Sequence, residues 1–132
     1  MTGTTEENQF DNEGQRTGLW KEYFRDGSLA SVGSYSDGEK SGEWKIYLRN
    51  GVLRATGNYS HGKMTGPWAW YRENGKLMQV GTMEEDKKVG LWKRFHENGE
   101  LSDVGEYADG ERTGEWSFYD TSGALIRTRK FR

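Results

Sequence analysis

Large apolar side chains along this chain come in short clusters fenced by glycine and polar turns, and the clusters recur every 24 residues. Residues 42–66, GEWKIYLRNGVLRATGNYSHGKMTG, show one unit. Gly18, Gly42, Gly66, Gly90 and Gly114 are each followed two residues on by Trp20, Trp44, Trp68, Trp92 and Trp116. Three further on stand Tyr23, Tyr47, Tyr71, Phe95 and Tyr119. A turn glycine, a leucine (Leu29, Leu53, Leu77, Leu101, Leu125) and a second glycine (Gly33, Gly57, Gly81, Gly105) come next. Tyr35, Tyr59, Met83, Tyr107 and Phe131 close the pattern. Repetition at a fixed period, without insertion, marks units that bury a face only by stacking on their neighbours.

Within a unit the turn chemistry is that of a β-hairpin. Asp26-Gly27, Asn50-Gly51, Asn74-Gly75 and Asn98-Gly99 each separate two apolar-bearing runs of about seven residues. Such pairs are the strongest short-range hairpin signal, because both residues tolerate positive φ. A second turn, at Asp37-Gly38, His61-Gly62 and Asp109-Gly110, returns the chain to the next Trp strand. The pattern predicts an all-β fold: an elongated antiparallel meander of stacked hairpins, five 24-residue units and about ten strands over residues 14–132. Residues 1–13 are expected to form an N-terminal cap or flexible segment, with Phe10 as the capping ring. Alternation puts Leu29, Gly33 and Tyr35 on one face, and a strand glycine signals close approach by another group. The Trp of the adjoining strand is expected over that glycine, giving a ladder of Trp, Tyr and Leu. Trp20 and Tyr23 are an odd number of residues apart, so either both faces are partly covered or a bulge realigns them.

Composition changes the picture once. With 32% hydrophobic and 30% charged residues and a mean hydropathy of -1.05, the chain leans toward disorder. Six Trp, seven Tyr and five Phe tip the balance back toward a folded core, since each ring buries roughly 150–250 Å². The net charge of -2 supplies no global field for nucleic acid, which is not expected as a partner. The absence of cysteine excludes disulfides and thiolate metal sites. No apolar run approaches the ~20 residues of a membrane helix, and the opening Met-Thr-Gly-Thr-Thr-Glu-Glu lacks a signal-peptide pattern, so a cytoplasmic location is expected.

The unit G-x-W-x-x-Y, x-x-x-G-x-L, x-x-x-G-x-Y-x-x-G resembles the MORN-repeat variant of bacterial proteins, over residues 14–132. The resemblance implies a β-hairpin array used for protein or membrane association, with antitoxin or immunity roles among small members. It transfers no catalytic residue.

Function is sought where the frame varies. One repeat position holds Glu22, Ile46, Trp70, Arg94 and Phe118. Ile46, Trp70, Arg94 and Phe118 are the candidate partner-binding residues, since Trp and Arg are favoured anchors. The other reading of that row is a second packed face. The third unit departs further, with Pro67, Met83 and Asp86 in place of the usual residues, making 83–89 either a remodelled solvated turn or a contacting loop. Arg127, Arg129, Lys130 and Arg132 crowd the end of the chain, either guarding a sheet edge or contacting an anion. His61 and His96 occupy different repeat positions, no glycine-rich stretch opens a helix, and no catalytic residue, metal or cofactor is expected. The expected function is a non-enzymatic scaffold binding another protein, a toxin if it acts as an antitoxin or immunity protein. The alternative is a lipid- or glycan-surface binding module. Oligomeric state stays open.

Overall fold

Each run of alternating residues becomes a strand, and each turn signal a reversal, so the chain lays down one sheet in sequence order. A computed structural model describes residues 6–132; residues 1–5 of the expected segment 1–13 lie outside the described residues. The strands are β1 (Gln9–Phe10), β2 (Arg16–Tyr23), β3 (Leu29–Ser36), β4 (Glu39–Tyr47), β5 (Leu53–Ser60), β6 (Lys63–Tyr71), β7 (Leu77–Glu84), β8 (Lys87–Phe95), β9 (Leu101–Ala108), β10 (Glu111–Tyr119) and β11 (Leu125–Phe131). All eleven pair antiparallel with their sequence neighbours in the order β1 to β11, and no helix is present among the described residues. The open meander matches the expectation, with β1 added ahead of the ten hairpin strands.

The two kinds of turn differ, and the first departs from the expected pair of positive-φ residues. At Asp26-Gly27, Asn50-Gly51, Asn74-Gly75 and Asn98-Gly99 only the glycine has positive φ. Gly27 N donates to Phe24 O at 2.9 Å and Phe24 N to Ser28 O at 2.8 Å, a type I turn completed by a left-handed glycine. The Asp or Asn instead uses its side chain, with Asp26 Oδ1 accepting from Ser28 N and Asn50 Oδ1 from Val52 N. The two-residue turns with both φ positive are Asp37-Gly38, His61-Gly62, Asp109-Gly110 and, without any glycine, Glu85-Asp86.

The sheet is held by its rings. A methyl group placed on Gly33, Gly57, Gly81 or Gly105 would meet the ring of Trp44, Trp68, Trp92 or Trp116 at 2.0–2.1 Å, so each indole lies flat on the backbone of the preceding strand. Each indole N–H then donates to the carbonyl just past that glycine: Trp44 to Ser34, Trp68 to Asn58, Trp92 to Thr82 and Trp116 to Glu106, at 3.0–3.2 Å. The ring is buried without leaving its one polar atom unpaired. Between indoles stand Tyr35, Tyr59 and Tyr107 in edge-to-face contact, ring centroids 5.3–6.0 Å apart. Burial raises the Tyr59 phenol above its ordinary pKa.

Unit three lacks the linking tyrosine, because Met83 stands in its place. Trp70 takes over the link, stacking on Trp68 and reaching Trp92 with centroids 5.6 Å apart in both contacts. At the N-terminal end Phe10 meets Trp20 edge-on at 5.3 Å, Trp20 Nε1 donates to Gln9 O, and the Asn8 amide satisfies both backbone groups of Lys21.

The leucines are not part of the ladder. Register advances from Glu22↔Ser31 to Tyr23↔Leu29, skipping one residue on β3, and the same bulge recurs in β5, β7, β9 and β11. It breaks the alternation that would have placed Leu29 with Gly33 and Tyr35. Because the extra residue lies in the second strand, Trp20 and Tyr23 keep opposite faces on an unbulged β2.

Gly57→Ala is expected to destabilise by about 2–3 kcal/mol, because the new methyl collides with an immobile indole. Gly51→Ala, at φ +90 with open space around it, is expected to cost ~1–2 kcal/mol from backbone strain alone. Urea unfolding followed by Trp fluorescence separates the two.

Candidate functional site

On the ladder face, two residues beyond each Trp, the variable position runs unbroken across the sheet. Successive registers join Glu22, Ser31, Ile46, Ala55, Trp70, Gln79, Arg94, Asp103, Phe118 and Arg127 into one row over ten strands. The structure thus brings together all four expected partner-binding residues, Ile46, Trp70, Arg94 and Phe118. Ile46, Trp70 and Phe118 are half-buried and pack on the buried ring cluster, so they contribute to the core while keeping an outer surface.

The other half of the row comes from second strands and is not marked by a break in the sequence pattern. Ser31, Ala55, Gln79, Asp103 and Arg127 also recur at a spacing of 24, so the period was present. Only the cross-strand register, however, shows which residue faces which.

Asp103 is the one charged residue buried among the described residues, 2% exposed. Arg94 holds it through Nε to Oδ2 at 3.0 Å and a terminal nitrogen to Oδ2 at 2.7 Å. The same hydrogen bond raises the Arg94 pKa further above its ordinary value. Two units earlier the equivalent pair is Ile46 beside Ala55. Beside Arg94, a depression of 370 Å³ is lined by Arg72, Met78, Gln79, Phe95 and Ser102. Arg72 donates there to Phe95 O at 2.9 Å, while its buried Nε has no partner among the described residues.

The four C-terminal cations divide. Arg127 lies over Phe118 at 4.6 Å and Arg129 over Phe131 at 4.7 Å, both on the ladder face. Lys130 pairs in register with Glu115 on the opposite face, and Arg132 follows the last strand. His61 sits in a two-residue turn and is highly exposed, 3.9 Å from Glu39. His96 begins another turn, its Nε2 2.8 Å from Tyr119 O, a geometry in which that nitrogen donates. In the third unit's joint, Asp86 accepts from Met64 N at 2.7 Å and its own N–H donates to Met64 O, stitching the glycine-free turn to β6. Among the described residues no three His, Asp or Glu side chains are grouped to hold a metal ion.

The family pattern described as MORN repeat variant matches four segments of the chain, residues 16–37, 40–61, 64–85 and 88–109. The β10–β11 hairpin lies beyond the matched residues and continues the same ladder through Trp116 and Phe131. No curated protein matches the chain. Among solved structures, a crystal structure of a GtfA/B complex bound to UDP and GlcNAc is similar at 16% identity and a TM-score of 0.39, over 67% of this chain and 22% of that one.

Arg94→Met leaves the Asp103 carboxylate buried without its partner, and is expected to destabilise by about 2 kcal/mol, less than for a fully buried pair because Arg94 is half-exposed. Adding Asp103→Ala, which restores the apolar pairing of Ile46 with Ala55, is expected to recover most of that loss in urea unfolding.

Proposed function

The chain belongs to the MORN repeat variant family, whose repeats build non-enzymatic scaffolds for binding proteins or membranes, and from that premise we propose that it binds another protein through the row containing Ile46, Trp70, Arg94 and Phe118. One observation carries the reading. Every other position of the ladder face is nearly constant from unit to unit, whereas this row changes from Glu to Ile, Trp, Arg and Phe. The constant positions hold the sheet; the changing ones are left to discriminate. Because Trp70 is clamped between Trp68 and Trp92, and Arg94 is fixed by Asp103, little side-chain freedom is lost on docking. A toxin is the partner implied by the resemblance to small bacterial members, which would make this chain an antitoxin or immunity protein.

Alanine at Trp70 would break the ladder as well as the surface, so the test exchanges residues between units. Trp70→Ile with Met83→Tyr and Phe118→Ile restores the linking tyrosine and gives the row the isoleucine already tolerated at position 46. Tagged wild type, captured from the cells that make it, is expected to retain one stoichiometric protein that the triple variant loses, with thermal unfolding within a few degrees. A partner retained by the folded variant would overturn the row as the site. A captured toxin would establish the antitoxin role, and lipid recovered in place of protein would overturn the protein-binding reading.

A further inference from the structure

A second column runs along the ladder face on the side away from the variable row. Arg16, Lys40, Met64, Lys88 and Arg112 occupy one repeat position, four residues before each Trp. Each of the four cations lies over two rings, that of its own Trp and that of the next ring along the ladder, at 4.4–5.4 Å from the centroids. The rings fix the charges in place while leaving them half-exposed. None of the four takes part in an ion pair among the described residues. Glu43 and Glu115, beside Trp44 and Trp116 in β4 and β10, lie on the opposite face. Asp86, bound to the Met64 backbone, stands at the break in the column. A chain of net charge -2 thus presents a line of four ring-bound cations, none in an ion pair among the described residues, interrupted once, at Met64.

The spacing selects the occupant. Equivalent residues of successive units are two strands apart, about 9.5 Å. A polyproline II segment turns once in three residues and advances about 9.3 Å per turn, so every third side chain falls on one cation. An extended strand repeats every ~6.7 Å and drifts out of step at once. We propose that the partner lays an acidic segment of polyproline II pitch across the strands, with the pattern acid-x-x-acid-x-x-apolar-x-x-acid-x-x-acid, its apolar residue over Met64. This rests on the reading that the ladder face binds protein, and adds the chemical class of segment it takes.

The probe is a fluorescein-labelled peptide, Glu-Pro-Pro-Glu-Pro-Pro-Leu-Pro-Pro-Glu-Pro-Pro-Glu, beside a peptide of identical composition with its glutamates shifted off the three-residue spacing. In fluorescence anisotropy at about 0.1 M salt, the in-step peptide is expected to bind roughly tenfold more tightly than the shifted one, since several individually weak surface ion pairs are lost together. Lys40→Met with Lys88→Met, copying the side chain already accommodated at Met64, is expected to erase the difference and keep the fold. Met64→Lys is expected to reverse the preference at the centre, from Leu to Glu. Equal binding of the two peptides, or retention of anionic phosphatidylserine vesicles in preference to either peptide, would overturn the proposal. Failure of both peptides, while the row-dependent protein is still captured, would sink the acidic segment and leave the protein-binding reading standing.

Discussion

An indole laid flat on a glycine backbone is the contact on which this sheet depends. A single-layer sheet has no second layer to bury its apolar face, so the face must cover itself. Trp44 does so by leaning onto β3, where Gly33 offers no side chain, and the same step recurs at Gly57, Gly81 and Gly105. The geometry also places each indole N–H against the carbonyl just past that glycine, so burial and hydrogen bonding do not compete. That Trp68, Trp92 and Trp116 are only 1% exposed on an open sheet follows from this overlap and from the side chains above it.

The period of 24 and the turn residues disclosed strand order, because a hairpin array with short connections admits essentially one antiparallel topology. The Trp-on-glycine contact was legible for a related reason, as a glycine in a strand interior most often marks a place where another group approaches the backbone. The turn types were not, since Asp-Gly serves both a two-residue turn and a type I turn ending in a left-handed glycine, and loop length decides between them. The bulges at Ala30 and its equivalents were equally hidden, which is why alternation alone groups Leu29 with Gly33 and Tyr35 when the sheet does not.

The site was half legible. Ile46, Trp70, Arg94 and Phe118 stood out because they break the pattern, whereas Asp103 did not, being one more carboxylate in a chain with 21. Its meaning emerges only from register, which sets it opposite Arg94 and within the covered part of the row. The C-terminal cations show the converse limit. Adjacent in sequence, Arg129 and Lys130 are parted by strand alternation, so a cluster on paper becomes two faces in space.

Stability and recognition share the variable row, and in one unit the row also carries the ladder itself. Where tyrosine links successive indoles, the variable position is not needed for the ring-to-ring chain, and residues as different as Glu22 and Ile46 stand there. At the third joint Met83 gives up that link and Trp70 supplies it from the row itself. The central unit therefore carries its most distinctive surface residue as a structural part, held by rings on both sides. A side chain so constrained presents the same surface whether or not a partner is bound, and that rigidity is the property recognition can use. The same exchange places Met64 rather than a cation beside the joint, so the break in the charged column and the widest ring of the variable row fall within one strand, β6. Two departures from the repeat that look independent in sequence thus mark a single locus of the face.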